Sequence, residues 1–187
     1  MGMKEHALPF PRGQTMGDGV LTLTDTYRDS LEGRLFTVPD TVNATGMEVT
    51  LRVVKNDTGS AITVARDLCQ FSVATAKDFG RRIDSHGSAC TAGDISKPMD
   101  DAYTVAQSIP DDDLFYVVDE GPCQIRTESS SCSLTAQDAV AADGDGRING
   151  AAAAAGEAVV GVIDATTAEE STAVLVYVTG GLTNANA

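Results

Sequence analysis

The chain has 187 residues, 42% of them apolar, with no Trp, 5% aromatics and a formal net charge of −14. That is enough chain for one good-sized domain or two small β-modules, and the apolar fraction excludes a disordered protein. Residues 1–97 hold 11 Lys/Arg against 12 Asp/Glu, a net of −1, whereas residues 98–187 hold 2 against 15, a net of −13. So acidic a half repels phosphate backbones and anionic headgroups, which excludes nucleic acid and membrane surfaces as natural partners and leaves the near-neutral half for docking on another protein.

Residues 1–19 carry Pro9, Pro11, Gly13, Gly17 and Gly19 with almost no apolar periodicity. Proline fixes φ and removes a donor, so the segment reads as an extended arm or a disordered tail, not a helix, and in an assembly such an arm lies along a neighbour and orders on contact. It lacks the apolar core of a signal peptide. From residue 20 the pattern turns to β, and residues 20–98 read as an N-terminal β-module. Strands are expected at Val20–Thr24, at Arg34–Val38 up to Pro39, and at Met47–Val53, whose apolar residues alternate with Glu48, Thr50 and Arg52. The Lys55–Gly59 turn predicts a hairpin with Ala61–Val64 as its returning strand. Leu68–Val73 reads as a further strand, and residues 74–99 fade into Gly, Ser, Asp and Lys as a junction.

Residues 99–187 form an acidic C-terminal β-module, with strands expected at Tyr103–Val105, Leu114–Val118 and Pro122–Thr127. Leu114–Val118 is apolar on both faces and therefore central. Asp138–Ala142 reads as a short segment of an antiparallel β-unit, while Thr135 with Asp138 has the shape of a capping box, which leaves two helical turns over Ala136–Ala142 as the other reading. The apolar segments Glu157–Ile163 and Thr172–Val178 close the unit. The longest apolar run, Ala173–Val178, is far short of the ~20 residues that span a bilayer. The expected fold class is mainly β: a small β-barrel or β-sandwich C-terminal module, an N-terminal β-module and the arm.

Bond-breaking chemistry is hard to find. Asp84-Ser85-His86 contains the letters of a hydrolase triad, but neighbours on an extended chain point to alternate faces. His86, Cys90 and Cys69 lack the Cys-x-x-Cys knuckle that makes a zinc reading specific. Asp143-Gly144-Asp145-Gly146 resembles the centre of an EF-hand loop, yet Ala141 and Ala152 stand where the first and last carboxylate ligands are required, so a tight turn is expected instead. Cys123 and Cys132 are open to two readings, free thiols or a cross-strand pair, since spacing alone cannot decide Cβ separation. No catalytic, metal or cofactor residues are assigned.

The stretch Ala136-Gln137-Asp138-Ala139-Val140, the turn Asp143 to Ile148, Gly156-Glu157-Ala158-Val159-Val160-Gly161-Val162 and Thr172-Ala173-Val174-Leu175-Val176 together resemble the C-terminal part of tailed-bacteriophage head decoration (cement) proteins. Gln137 stands where that family usually has Gly. The resemblance covers about a quarter of the chain. It implies a β-tulip-like C-terminal unit, no enzymatic activity and no cofactor. It also implies synthesis in the host cytoplasm, attachment to the major capsid protein on the outer surface of the virion, and self-association as a trimer. The arm and the basic residues of the near-neutral half are the capsid-contact candidates: Pro9, Phe10, Pro11, Arg12, Arg28, Arg34, Arg81 and Arg82. The alternative is a carbohydrate- or cell-surface-binding β-module of a phage fibre or spike.

Overall fold

The structure, a computed structural model, describes residues 8–17, 29–63, 65–75, 77–87, 95–104, 106–128, 131–143, 145–154, 158–169 and 172–184. The strand expected at Val20–Thr24, as well as Arg28 and Cys90, lie outside them. The fold is mainly β, as expected. Its nine strands are β1 (Leu35–Pro39), β2 (Glu48–Asn56), β3 (Leu68–Phe71), β4 (Arg82–His86), β5 (Ser96–Pro98), β6 (Leu114–Arg126), β7 (Ala139–Ala141), β8 (Ala158–Ile163) and β9 (Ala173–Asn184). They form one mixed sheet in the order β5-β3-β4-β2-β6-β9-β8-β7, with β1 paired to β2.

The sheet is not closed into a barrel, which corrects that part of the expectation. Its end strands, β5 and β7, do not pair with each other. At its middle runs β6, whose 13 residues replace the two separate strands expected at Leu114–Val118 and Pro122–Thr127. Its first half pairs with β2 (Leu51↔Val118 to Lys55↔Leu114) and its second half with β9 (Gly121↔Val178 to Arg126↔Ala173). One strand thus carries both halves of the sheet. Gly121 sits where it passes from one partner to the other, at φ 106°, and a Cβ there would lie 2.6 Å from the Glu48 carbonyl oxygen. Only glycine allows that approach. On the other side of β6, a Met99↔Val117 bridge and the Asp100 N–H to the Tyr116 carbonyl (3.1 Å) tie down the end of β5.

The core follows the alternation read from the sequence. Val49, Leu51 and Val53 are fully buried on one face of β2, and Leu114 to Val118 are buried on both faces of β6. Burying a side chain of this size contributes roughly 1.5–3 kcal/mol, so the packed middle of the sheet dominates the favourable side of folding.

Several local expectations change. The Lys55–Gly59 turn does not return as a hairpin strand: Ile62 makes one isolated bridge, to Ile109, and β2 is flanked instead by β1, β6 and, in parallel, β4. Asn56 explains this. Fully buried, its Nδ2 donates to the carbonyls of Ser60 (2.9 Å), Ile109 (3.1 Å) and Pro110 (3.0 Å), while its Oδ1 accepts from the Thr58 N–H and hydroxyl. The turn is therefore spent on joining residues 58–60 to the 109–110 segment. The stretch expected as a structureless junction contains β4 and β5. Tyr103 lies in a turn rather than a strand. Of the two readings of Ala136–Ala142 the strand holds and the helix does not: the segment is a turn followed by β7. The Thr135 N–H donates to Asp138 Oδ2 (2.7 Å) and the Asp138 N–H to the Thr135 carbonyl (3.0 Å), closing a loop instead of opening a helix.

Candidate docking site at the seam of the two halves

Segment 8–17 packs along the chain's own core, which corrects the reading of this part of the arm as free to dock elsewhere. Phe10 is buried and stacks on Tyr116 with ring centroids 4.3 Å apart. The Tyr116 hydroxyl donates to the Phe10 carbonyl (2.8 Å), the Tyr103 hydroxyl donates to the Gln14 carbonyl (2.7 Å), and the Met16 N–H donates to Leu114 O (3.1 Å). Arg12 is the anchor. Its Nε lies 3.0 Å from Asp100 Oδ2, and its Nη2 lies 2.5 Å from Asp100 Oδ1 and 3.3 Å from Asp101 Oδ1. The three side chains are 10%, 0% and 1% exposed.

Burial pulls the Arg12 guanidinium down, but the hydrogen bond and charge of Asp100 outweigh it and hold the group above its ordinary value. Burial pushes the Asp100 carboxyl up against the pull of Arg12. Around this pair, Asn43 Nδ2 (2.7 Å) and the Gln124 N–H (2.9 Å) satisfy Asp101 Oδ2. Asn43 is positioned by Asp40, whose carboxylate accepts the N–H groups of Val42 and Asn43 and the hydroxyl of Thr45.

Three of the other contact candidates, Arg81, Arg82 and Arg34, also have partners within the chain. Arg81 and Arg82 face the buried carboxylate of Glu32 at 3.4 and 3.5 Å, and Arg82 also faces Asp57 and Asp78. Arg34 donates through Nε to the Ser30 carbonyl (2.7 Å). Pro9 is half-buried and Pro11 exposed. Phe10 and Arg12 are thus withdrawn as free contact residues, because a side chain buried in its own fold has no face left for a partner. Composition could not reveal this, since an arm and a strap have the same letters.

The turn at Asp143 is a tight one. Its carboxylate Oδ1 accepts the N–H groups of Asp145 and Arg147, each at 2.8 Å, and burial raises its carboxyl above the usual range. The turn joins the two halves: the Gly146 carbonyl accepts the Leu68 N–H (2.6 Å), and Gly146, at φ 69°, has the Gly87 backbone where a Cβ would go. Among the described residues no group of three or more His, Cys, Asp or Glu side chains is arranged to hold a metal ion. Cys69, Cys123 and Cys132 are buried and in no disulfide. Cys123 and Cys132 point at different carbonyls, those of Met99 and Thr167, so the cross-strand pair is not formed. Asp84, Ser85 and His86 follow one another along β4, and burial holds the imidazole of His86 below its ordinary value.

A cleft of about 370 Å³ opens at the seam where the start of β3 meets the end of β6. Arg66, Arg126 and Thr104 give it polar lining, Asp101 and Tyr103 form its buried wall, and Ala65 and Ala173 contribute small apolar surfaces. Arg126 reaches from β6 to the buried Asp67, with Nε at 2.8 Å and Nη2 at 2.6 Å from Oδ1. Its own N–H donates to the Arg66 carbonyl (3.1 Å). Arg66 is exposed and holds φ 64°, the left-handed region. The sequence marks Arg66 as basic, but nothing in its local pattern announces the cleft, which needs two segments 60 residues apart in number to meet.

No protein-family model and no curated protein sequence matches the chain.

Proposed function

We propose that this chain is a structural protein of a phage virion, a decoration protein that binds the outer surface of the head through the major capsid protein and reinforces it. One observation carries the reading. The segments that resemble decoration proteins fall on β7, the Asp143 turn, β8 and β9, which pair in sequence as one antiparallel unit (Ala139↔Val162, Val162↔Tyr177). Supporting it, the ionic groups that hold the fold together are committed to one another: Arg12 to Asp100 and Asp101, Arg52 to Asp119 at 2.8 Å, and Arg126 to Asp67. Self-association as a trimer at a local threefold of the shell belongs to the same proposal. Binding folded but not unfolded capsid subunits would stabilise the head by mass action.

The carbohydrate-binding alternative draws no support from the surface. The large apolar side chains most exposed among the described residues are Leu35, Val42, Met47 and Val73, none of them aromatic. Quantitative mass spectrometry of purified particles tests the proposal. The chain is expected in many copies, in a constant ratio to the capsid protein; its absence from intact heads would remove the reading.

A further inference from the structure

Residues 98–187 contain two basic side chains, Arg126 and Arg147, and both act on the buried carboxylate of Asp67. At this seam positive charge is concentrated in a chain that is otherwise strongly acidic. Arg126 spends Nε and Nη2 on one oxygen of Asp67, which leaves its Nη1 outside that pair. Arg66 lines the same cleft and is exposed. Its carbonyl accepts the Arg126 N–H, so the two residues are pinned together through the backbone.

The conformation of Arg66 points the same way. A φ of 64° is adopted freely by glycine and at a cost by arginine. Strain of this kind persists only where the surrounding structure over-determines it, and the Arg126 N–H on the Arg66 carbonyl is part of what holds Arg66 at the cleft. Among the described residues that line the cleft, Asp101 is the acid, and its oxygens are already bonded to Arg12, Asn43 and Gln124, while the Tyr103 hydroxyl is committed to Gln14 and Tyr116. Arg126 shares its charge with Asp67, so the donors left to meet a ligand here are the guanidinium of Arg66 and the Nη1 of Arg126.

We propose that this cleft binds a carboxylate, the side chain of a Glu or Asp on an exposed loop of a partner protein. Arg66 and Arg126 hold the carboxylate, and its methylene stem rests on Ala65 and Ala173. Guanidinium groups suit the task because their planar donor forks match carboxylate geometry. A volume of about 370 Å³ accommodates one side chain with its adjoining backbone and falls at the small end of ligand sites, about 300–1,000 Å³.

The net charge of −14 sharpens selection. An acidic partner is repelled at a distance and attracted only on entering the cleft, within a Debye length of about 8 Å at physiological ionic strength. Association should therefore quicken as salt is raised from low to physiological strength, the reverse of electrostatic steering. That the partner is the capsid protein rests on the reading above; the carboxylate site does not.

The test uses the full chain, labelled with ¹⁵N and titrated with the tripeptide acetyl-Ala-Glu-Ala-amide, with the Gln tripeptide as control. Saturable shifts are expected at the side-chain Nε–H signals of Arg66 and Arg126, with the Gln peptide binding at least tenfold more weakly. Arg66→Gly should lose at least tenfold in affinity while melting no lower than the parent, because it relieves the strained φ. Arg66→Gln, which keeps the backbone demand and removes the charge, should lose affinity equally. Absence of saturable shifts, an equal response to both peptides, or unchanged binding by the two variants would overturn the site. A lower melting temperature for Arg66→Gly would overturn the strain argument. Peptide binding by a chain that is missing from particles would keep the cleft and reject the virion reading.

Discussion

Arg12→Ala isolates the strap of residues 8–17 from everything else. The guanidinium is 10% exposed and faces two carboxylates that are 0% and 1% exposed, with three contacts to Asp100 and one to Asp101. Removing it leaves two adjacent negative charges in the interior. Breaking a buried pair from one side costs about 3–5 kcal/mol, against a total stability of roughly 5–15 kcal/mol for a domain. For a chain of this size each kcal/mol moves Tm by about 2–4 °C, so the variant should melt about 6–20 °C lower by the same rule.

Urea unfolding followed by circular dichroism measures the loss, and the m-value shows whether the strap detaches or the whole fold weakens. Burial already holds Asp100 above the usual carboxylate range, and losing Arg12 raises it further. A raised carboxyl favours the folded state at low pH and loses that contribution as pH rises through its folded pKa. The deficit of Arg12→Ala should therefore be largest near neutral pH and shrink on acidification. Adding Asp100→Asn and Asp101→Asn should restore part of the stability, and a double-mutant cycle measures the coupling. A loss below about 1 kcal/mol, the value of an exposed ion pair, would refute the buried anchor.

Three further outcomes follow from single residues. Asn56→Ala removes one side chain that serves three carbonyls and Thr58; it should cost about 2–3 kcal/mol in urea unfolding, the upper range for leaving buried groups unsatisfied. Gly146→Ala must place a Cβ against the Gly87 backbone at φ 69°. It should lose at least about 1–2 kcal/mol from the left-handed conformation alone, read as a lower Tm. Asp40 is held below the usual carboxylate range: burial opposes this, but hydrogen bonds from Asn43, Thr45 and Val42 outweigh it. Its contribution is present above the unfolded pKa and lost as pH falls through the folded one. Asp40→Asn should therefore be less stable than the parent at pH 7, with the gap closing in acid.

The sequence carries the β class and several strands because alternation is a local signal. Val49, Leu51 and Val53 project to one face in the pattern as in the fold, and the double-faced apolar run Leu114–Val118 forms part of the shared strand β6. What it does not carry depends on which distant groups meet. Asn56 looks like a turn residue, and its fully buried role shows only when residues 58–60 and 109–110 surround it. The capping-box letters at Thr135 and Asp138 are real, but the bonds they make close a turn into β7. The strap is the largest such case. Its prolines and glycines read as a loose arm, while Phe10 and Arg12 find their partners about 90 to 106 positions away. The seam cleft is hidden for the same reason, since Arg66 and Arg126 become neighbours only when β6 crosses to the start of β3.

The proposed place of this chain is the outside of a phage head, bound to the capsid protein. An electron-microscopy map of the particle that contains it is the decisive measurement. Density of this size is expected at regular positions on the outer shell, fitted by the nine-stranded sheet and contacting capsid subunits. Density for the chain inside the shell, at the tail alone, or nowhere on the particle would contradict it.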